Sequence, residues 1–172
     1  MILVLVSLVQ ASFDLIVIPG GIYRVHSRVG FLFAPVKDDY ARVNIDPREE
    51  AMGFWEFIPT NNGNYAIRQA DSGLFLSPRF PSRPSSIAPV ILSTIPEEWR
   101  LVQAKDDSGQ FYIEWSGSID GEVFVLDIAP VCVFPRFAGL DFKRESGSNL
   151  QWELQVPNAQ KFRHRLNRLE SQ

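Results

Sequence analysis

A tryptophan recurs along this chain in one local context. It appears as Gly53-Phe54-Trp55-Glu56-Phe57, as Glu98-Trp99-Arg100-Leu101 and as Gln151-Trp152-Glu153-Leu154. Each time a charged residue follows the tryptophan and an apolar one follows that. This is the period-two alternation of a half-buried strand, with the tryptophan and its i+2 neighbour on one face. The steps from 55 to 99 and from 99 to 152 are 44 and 53 residues, the scale of an internal structural repeat.

Matching strands precede each tryptophan. The first opens on glycine and carries an aromatic at its third position: Gly21-Ile22-Tyr23-Arg24-Val25, Gly63-Asn64-Tyr65-Ala66-Ile67, Gly109-Gln110-Phe111-Tyr112-Ile113. The second also opens on glycine, at Gly30-Phe31-Leu32-Phe33, Gly73-Leu74-Phe75-Leu76 and Gly121-Glu122-Val123-Phe124. The third is Val43-Asn44-Ile45, Val90-Ile91-Leu92 and Leu140-Asp141-Phe142, and the tryptophan strand closes each unit. Four strands repeated three times predict an all-β closed fold of about twelve strands. Three such units resemble a β-trefoil, in which each unit gives two strands to a barrel and two to a hairpin cap. That resemblance makes Trp55, Trp99 and Trp152 core residues.

The 172 residues suffice for one domain, expected over 20–157, with an apolar leader over 1–19 and a basic tail over 158–172. The tail carries Lys161, Arg163, Arg165 and Arg168 against Glu170, and spaces Phe162, Leu166 and Leu169 as a short amphipathic helix would. A net charge of −3 without a broad basic field argues against nucleic acid. Residues 2–9 are apolar apart from Ser7, and Asp14 interrupts the run before it could span a membrane. The leader reads as a signal peptide or as sequence upstream of a true start near Pro19. No Lys or Arg precedes it, so the expectation is a cytoplasmic protein, secreted if the segment is cleaved. A monomer is expected.

Catalytic material is scarce. The one cysteine, Cys132, lies in an apolar stretch and reads as buried and inert. With His26 and His164 as the only histidines, neither a zinc site nor a Cys-His dyad is expected, and no cofactor. His26 and Ser27 are adjacent on a strand and face opposite ways. Asp38-Asp39 and Asp106-Asp107 read as turn carboxylates. The chain is therefore expected to be a binding module and not an enzyme, with function on its loops.

Two trefoil families bear on the ligand. The ricin-B-type lectins carry Gln-x-Trp in each repeat, but the residue two before each tryptophan here is Gly53, Glu97 or Leu150. The mushroom serine-protease inhibitors of the cospin family are single-domain trefoils of about this core size. The opening Gly21-Ile22-Tyr23-Arg24-Val25 and the block Pro89-Val90-Ile91-Leu92 to Glu98-Trp99-Arg100-Leu101 resemble them. That resemblance implies a trypsin-like serine protease as the partner, engaged by a basic residue on the loop joining the second and third strands of unit one. Carried over, this is Val36-Lys37-Asp38-Asp39, with Lys37 entering the specificity pocket. The equivalent loop of unit two is the rival: Arg79 and Phe80, with Arg83, lie among Pro78, Pro81 and Pro84, which restrict φ and lower the ordering cost of binding. Serine-protease inhibition is the first expectation and carbohydrate binding by a ricin-B-like lectin the alternative.

Overall fold

The computed structural model describes residues 18–48, 53–80, 88–104, 109–129, 133–143 and 149–157. The leader up to residue 17, the tail, Cys132, Arg83 and the Asp106-Asp107 turn lie outside the described residues.

Twelve strands form in chain order: β1 Gly21–Ser27, β2 Gly30–Phe33, β3 Asn44–Asp46, β4 Trp55–Pro59, β5 Tyr65–Gln69, β6 Phe75–Pro78, β7 Ala88–Ser93, β8 Glu98–Gln103, β9 Phe111–Trp115, β10 Phe124–Ile128, β11 Arg136–Phe142 and β12 Trp152–Gln155. Every pairing among them is antiparallel. The ring β1–β4–β5–β8–β9–β12 returns to β1 and closes a barrel of six strands. Closure leaves the barrel no free edge. The remaining strands are the hairpins β2–β3, β6–β7 and β10–β11. They form the cap, joined to one another where β11 pairs with both β3 and β7 and where Arg42 bridges Ile91. This is the β-trefoil architecture.

The three repeat tryptophans do the same thing in each unit. Trp55, Trp99 and Trp152 are fully buried. Their indole N–H groups donate to Leu32 O at 2.8 Å, Leu76 O at 3.0 Å and Leu126 O at 3.0 Å. Each therefore staples its barrel strand to the hairpin of its own unit while burying a large apolar ring, and the donor is satisfied in the process. Around them pack Val25, Ile67 and Ile113 from the first strands and Ile45, Leu92 and Leu140 from the hairpins.

Two boundaries differ from the sequence reading. The return strand of the third hairpin begins at Arg136, ahead of the Leu140-Asp141-Phe142 that the sequence suggests, because Arg136 and Phe137 pair with Ile45 and Asn44 across the cap. Ile18 belongs to the folded body: its N–H donates to Tyr65 Oη at 2.8 Å and its carbonyl accepts from the same hydroxyl at 2.9 Å. Both are contacts between distant segments, which local pattern does not reveal. At Gly30, with φ at 142°, a Cβ would lie 2.5 Å from the Asp46 backbone, so glycine is required where β2 crosses β3.

Candidate binding surface on the hairpin cap

The segment 34–43 links β2 to β3 and is laced to unit two by its backbone. Tyr40 N–H donates to Leu92 O at 2.8 Å, Leu92 N–H to Ala41 O at 2.8 Å and Val43 N–H to Val90 O at 3.0 Å. Those bonds hold Tyr40 at φ 65°. Asn62 and Asp120, also at positive φ, are residue types that tolerate this region, whereas a bulky tyrosine there is costly. Its ring is nonetheless 61% exposed.

Beside it opens a cleft of about 370 Å³, lined by Val36, Asp38, Asp39, Tyr40, Asn44 and Phe137 among others. Asn44 is only 5% exposed, and its Oδ1 has no hydrogen-bond partner. A buried amide oxygen without a donor costs free energy. Asp39 Oδ1 accepts from Tyr40 N–H at 3.1 Å and helps shape the turn. The cleft thus combines two carboxylates, the Arg42 side chain and two aromatic rings, with the buried Asn44 amide in its lining.

Arg79, at the start of the unit-two basic loop, reaches this surface. The Arg79 guanidinium lies 5.5 Å from the centre of the Tyr40 ring, and Arg79 N–H donates to Pro89 O at 2.8 Å. Phe80 packs its ring 4.8 Å from that of Trp115 and remains 39% exposed. Lys37 is turned partly inward: its Nζ is 4.0 Å from Asp71 Oδ2, with the lysine side chain 42% and the aspartate side chain 7% exposed. Asp38 lies at the cleft beside it. Both candidate cations among the described residues are therefore engaged within the chain, Lys37 by a carboxylate and Arg79 by a ring. His26 and Ser27 separate as expected, with Ser27 buried and donating to Gly30 O at 3.1 Å.

The slots that hold glutamine in Gln-x-Trp are filled otherwise. At Gly53 a Cβ would sit 2.8 Å from Leu32 O and 3.0 Å from Trp55 Nε1, so no glutamine fits there without movement. Glu97 Oε2 accepts from Trp115 Nε1 at 3.0 Å, and Leu150 is buried in the core.

Sequence reasoning missed Tyr40, Asn44, Phe137 and Trp115. For Trp115 a signal existed: it stands seventh counting from the opening glycine, where the other units have Ser27 and Gln69. For the other three there was none, since the cleft forms between units one and three.

No protein-family model matches the sequence, and neither does any curated protein. The structure is similar to a designed three-fold symmetric protein, ThreeFoil, with a TM-score of 0.62 and 22% identity, over 80% of this chain and 99% of that one. It is similar as well to a ricin B-like lectin of Macrolepiota procera, solved in complex with lactose, with a TM-score of 0.62 and 16% identity over 83% of this chain and 99% of the lectin. At these identities the likeness establishes the fold alone: the chain is a β-trefoil.

Proposed function

We propose that this β-trefoil is a carbohydrate-binding protein without catalytic activity of its own, and that the unit-one cleft takes the sugar. The observation that carries the reading is the exposed Tyr40 ring, held at an unfavourable φ, beside the buried and unsatisfied Asn44 amide. Strain of this kind persists where the surroundings over-determine it and is concentrated at ligand sites. A sugar offers hydroxyl donors to Asp38, Asp39 and Asn44 and an apolar C–H face to an aromatic ring. The volume suits a small ligand, and an aromatic wall with a few placed polar groups is the usual make-up of such sites. The fold is shared with a lectin, which agrees with this reading.

A second reading rests on a different observation, the convergence of the Lys37 and Arg79 loops on one surface. It is reversible inhibition of a trypsin-like serine protease, as the cospin resemblance implies. It ranks second because Lys37 is paired with Asp71 and lies between carboxylates, so insertion would first break an internal ion pair.

One paired assay separates the two. The full chain is applied to a glycan array and to a panel of serine proteases, with Asn44→Ala alongside. The expected result is saturable glycan binding, weakened at least about fivefold in Asn44→Ala, as loss of one buried hydrogen bond implies. Inhibition of a trypsin-like protease with no saturable glycan binding would reverse the order.

A further inference from the structure

Beyond the sugar cleft, and resting on the glycan reading, we infer that Arg42 and Arg79 form an anion subsite, so that the ligand is an acidic glycan carrying a carboxylate or sulfate. A second cleft of about 320 Å³ is lined by Arg42, Arg79, Pro89 and Ile91. It shares Arg42 with the first, so the two form one track across the cap.

Both arginines are held at the backbone, and neither guanidinium has a carboxylate partner among the described residues. Arg42 bridges Ile91 through its backbone, and Arg79 is bonded to Pro89 O. The Arg42 guanidinium lies 4.8 Å from the centre of the Phe137 ring, as Arg79 does at 5.5 Å over Tyr40. Ring contact braces a guanidinium without consuming its N–H donors, which stay free for an oxyanion. Ion pairs among the described residues engage Lys37, Arg48, Arg68, Arg100 and Lys143, and neither Arg42 nor Arg79. The two guanidiniums put positive charge on the apolar floor of the second cleft, set apart from Asp38 and Asp39, which line the first. Fork-like donors of this type recognise carboxylate, sulfate and phosphate groups by paired hydrogen bonds.

The adjoining carboxylates set the direction of binding. Asp38 and Asp39 repel an anion from the first cleft, so the neutral hydroxylated part of the ligand lies there and its charged group over the arginines. Repulsion in one place and attraction in the next is how a site discriminates between similar ligands.

The test is a glycan array of neutral, uronate-containing and sulfated saccharides, followed by titration of the strongest acidic binder and its neutral counterpart. Wild type is compared with Arg42→Gln/Arg79→Gln and with each of its single variants, and Arg28→Gln in the β1–β2 turn serves as the control matched in charge loss to the single variants. The expected result is an acidic ligand bound about tenfold or more tightly than its neutral counterpart, as charge-assisted hydrogen bonds imply. That ratio should fall towards one in the double variant and hold in Arg28→Gln. The carboxylate and sulfate arms identify which anion the subsite takes. Neutral and acidic saccharides bound equally would overturn the subsite and leave the glycan reading standing. A preference that survives in the double variant, or that Arg28→Gln weakens as much as the single variants do, would overturn it too. No binding of any saccharide would remove both.

Discussion

Tyr40 illustrates how much a single backbone angle can say. An L-residue in the left-handed region costs about 1–2 kcal/mol, and asparagine or glycine is the usual occupant. Tyr40→Asn should therefore leave the melting temperature unchanged or raise it, while glycan affinity falls. A drop in stability would mean that the ring serves packing and not binding. Asp46 makes a second residue-scale case. It is buried at the end of β3, accepting from Arg48 N–H at 2.8 Å and from Arg48 Nε at 2.9 Å. The side-chain hydrogen bond from Arg48 holds its carboxyl below the ordinary value of 3.8; the Arg48 backbone N–H and charge act the same way, against the opposing effect of burial. A lowered value in the folded state gives stability that is fully present above the unfolded value and is lost as pH falls through the folded one. Melts of wild type and Arg48→Gln should accordingly differ most near neutral pH and converge in acid. Curves that run parallel down to strong acid would show that the pair carries no linked stability.

At the scale of the element, the unit is a strand, a hairpin and a returning tryptophan strand locked by one indole. Trp99→Ala should cost about 3–5 kcal/mol, as truncation of a buried aromatic does. Trp99→Phe keeps most of the apolar volume but leaves Leu76 O without this donor, which should cost about 1–3 kcal/mol. Denaturant melts of both variants measure the two contributions separately. Equal costs would mean that the hydrogen bond accounts for the whole loss and the apolar ring kept in phenylalanine adds nothing. Because the same bond recurs at Trp55 and Trp152, the hairpins of all three units are tied to the barrel in the same way. The units differ at their edges: β9 ends on the half-buried Trp115, which reaches Phe80 of unit two.

For the whole molecule, the closed barrel makes the cap the place where the units can diverge without loss of the fold. The hairpins carry the exposed Val36, Tyr40, Phe80, Val133 and Phe134, while the repeated core positions are apolar and buried. Substitutions on this face should therefore alter binding with little effect on stability. Lys37→Ala, Arg79→Ala and Arg83→Ala can be compared for protease inhibition constant and for melting temperature. A selective loss of at least about 2 kcal/mol of binding in one of them, as a central anchor would show, would favour the inhibitor reading. Three variants that behave like wild type would remove its mechanism.

The repeat was legible because a β-trefoil writes its core into the chain three times. Period-two alternation, glycine-opened strands and three tryptophans are local patterns, and they were enough to place the barrel residues and the fold. Even the missing Gln-x-Trp set could be read directly, although only the packing of Gly53 against Leu32 O explains the first absence. The candidate binding surface was only partly legible. Lys37, Asp38, Arg79 and Phe80 were singled out because basic and proline-rich loops have a composition. Their internal engagement with Asp71, Tyr40 and Trp115 was not, because each partner lies on another strand or loop. Asn44 and Phe137 are 93 residues apart and become neighbours only when β3 pairs with β11. Core positions are determined by the periodicity of one strand; a cleft between hairpins depends on which strands pair across the cap, and that is settled by tertiary closure.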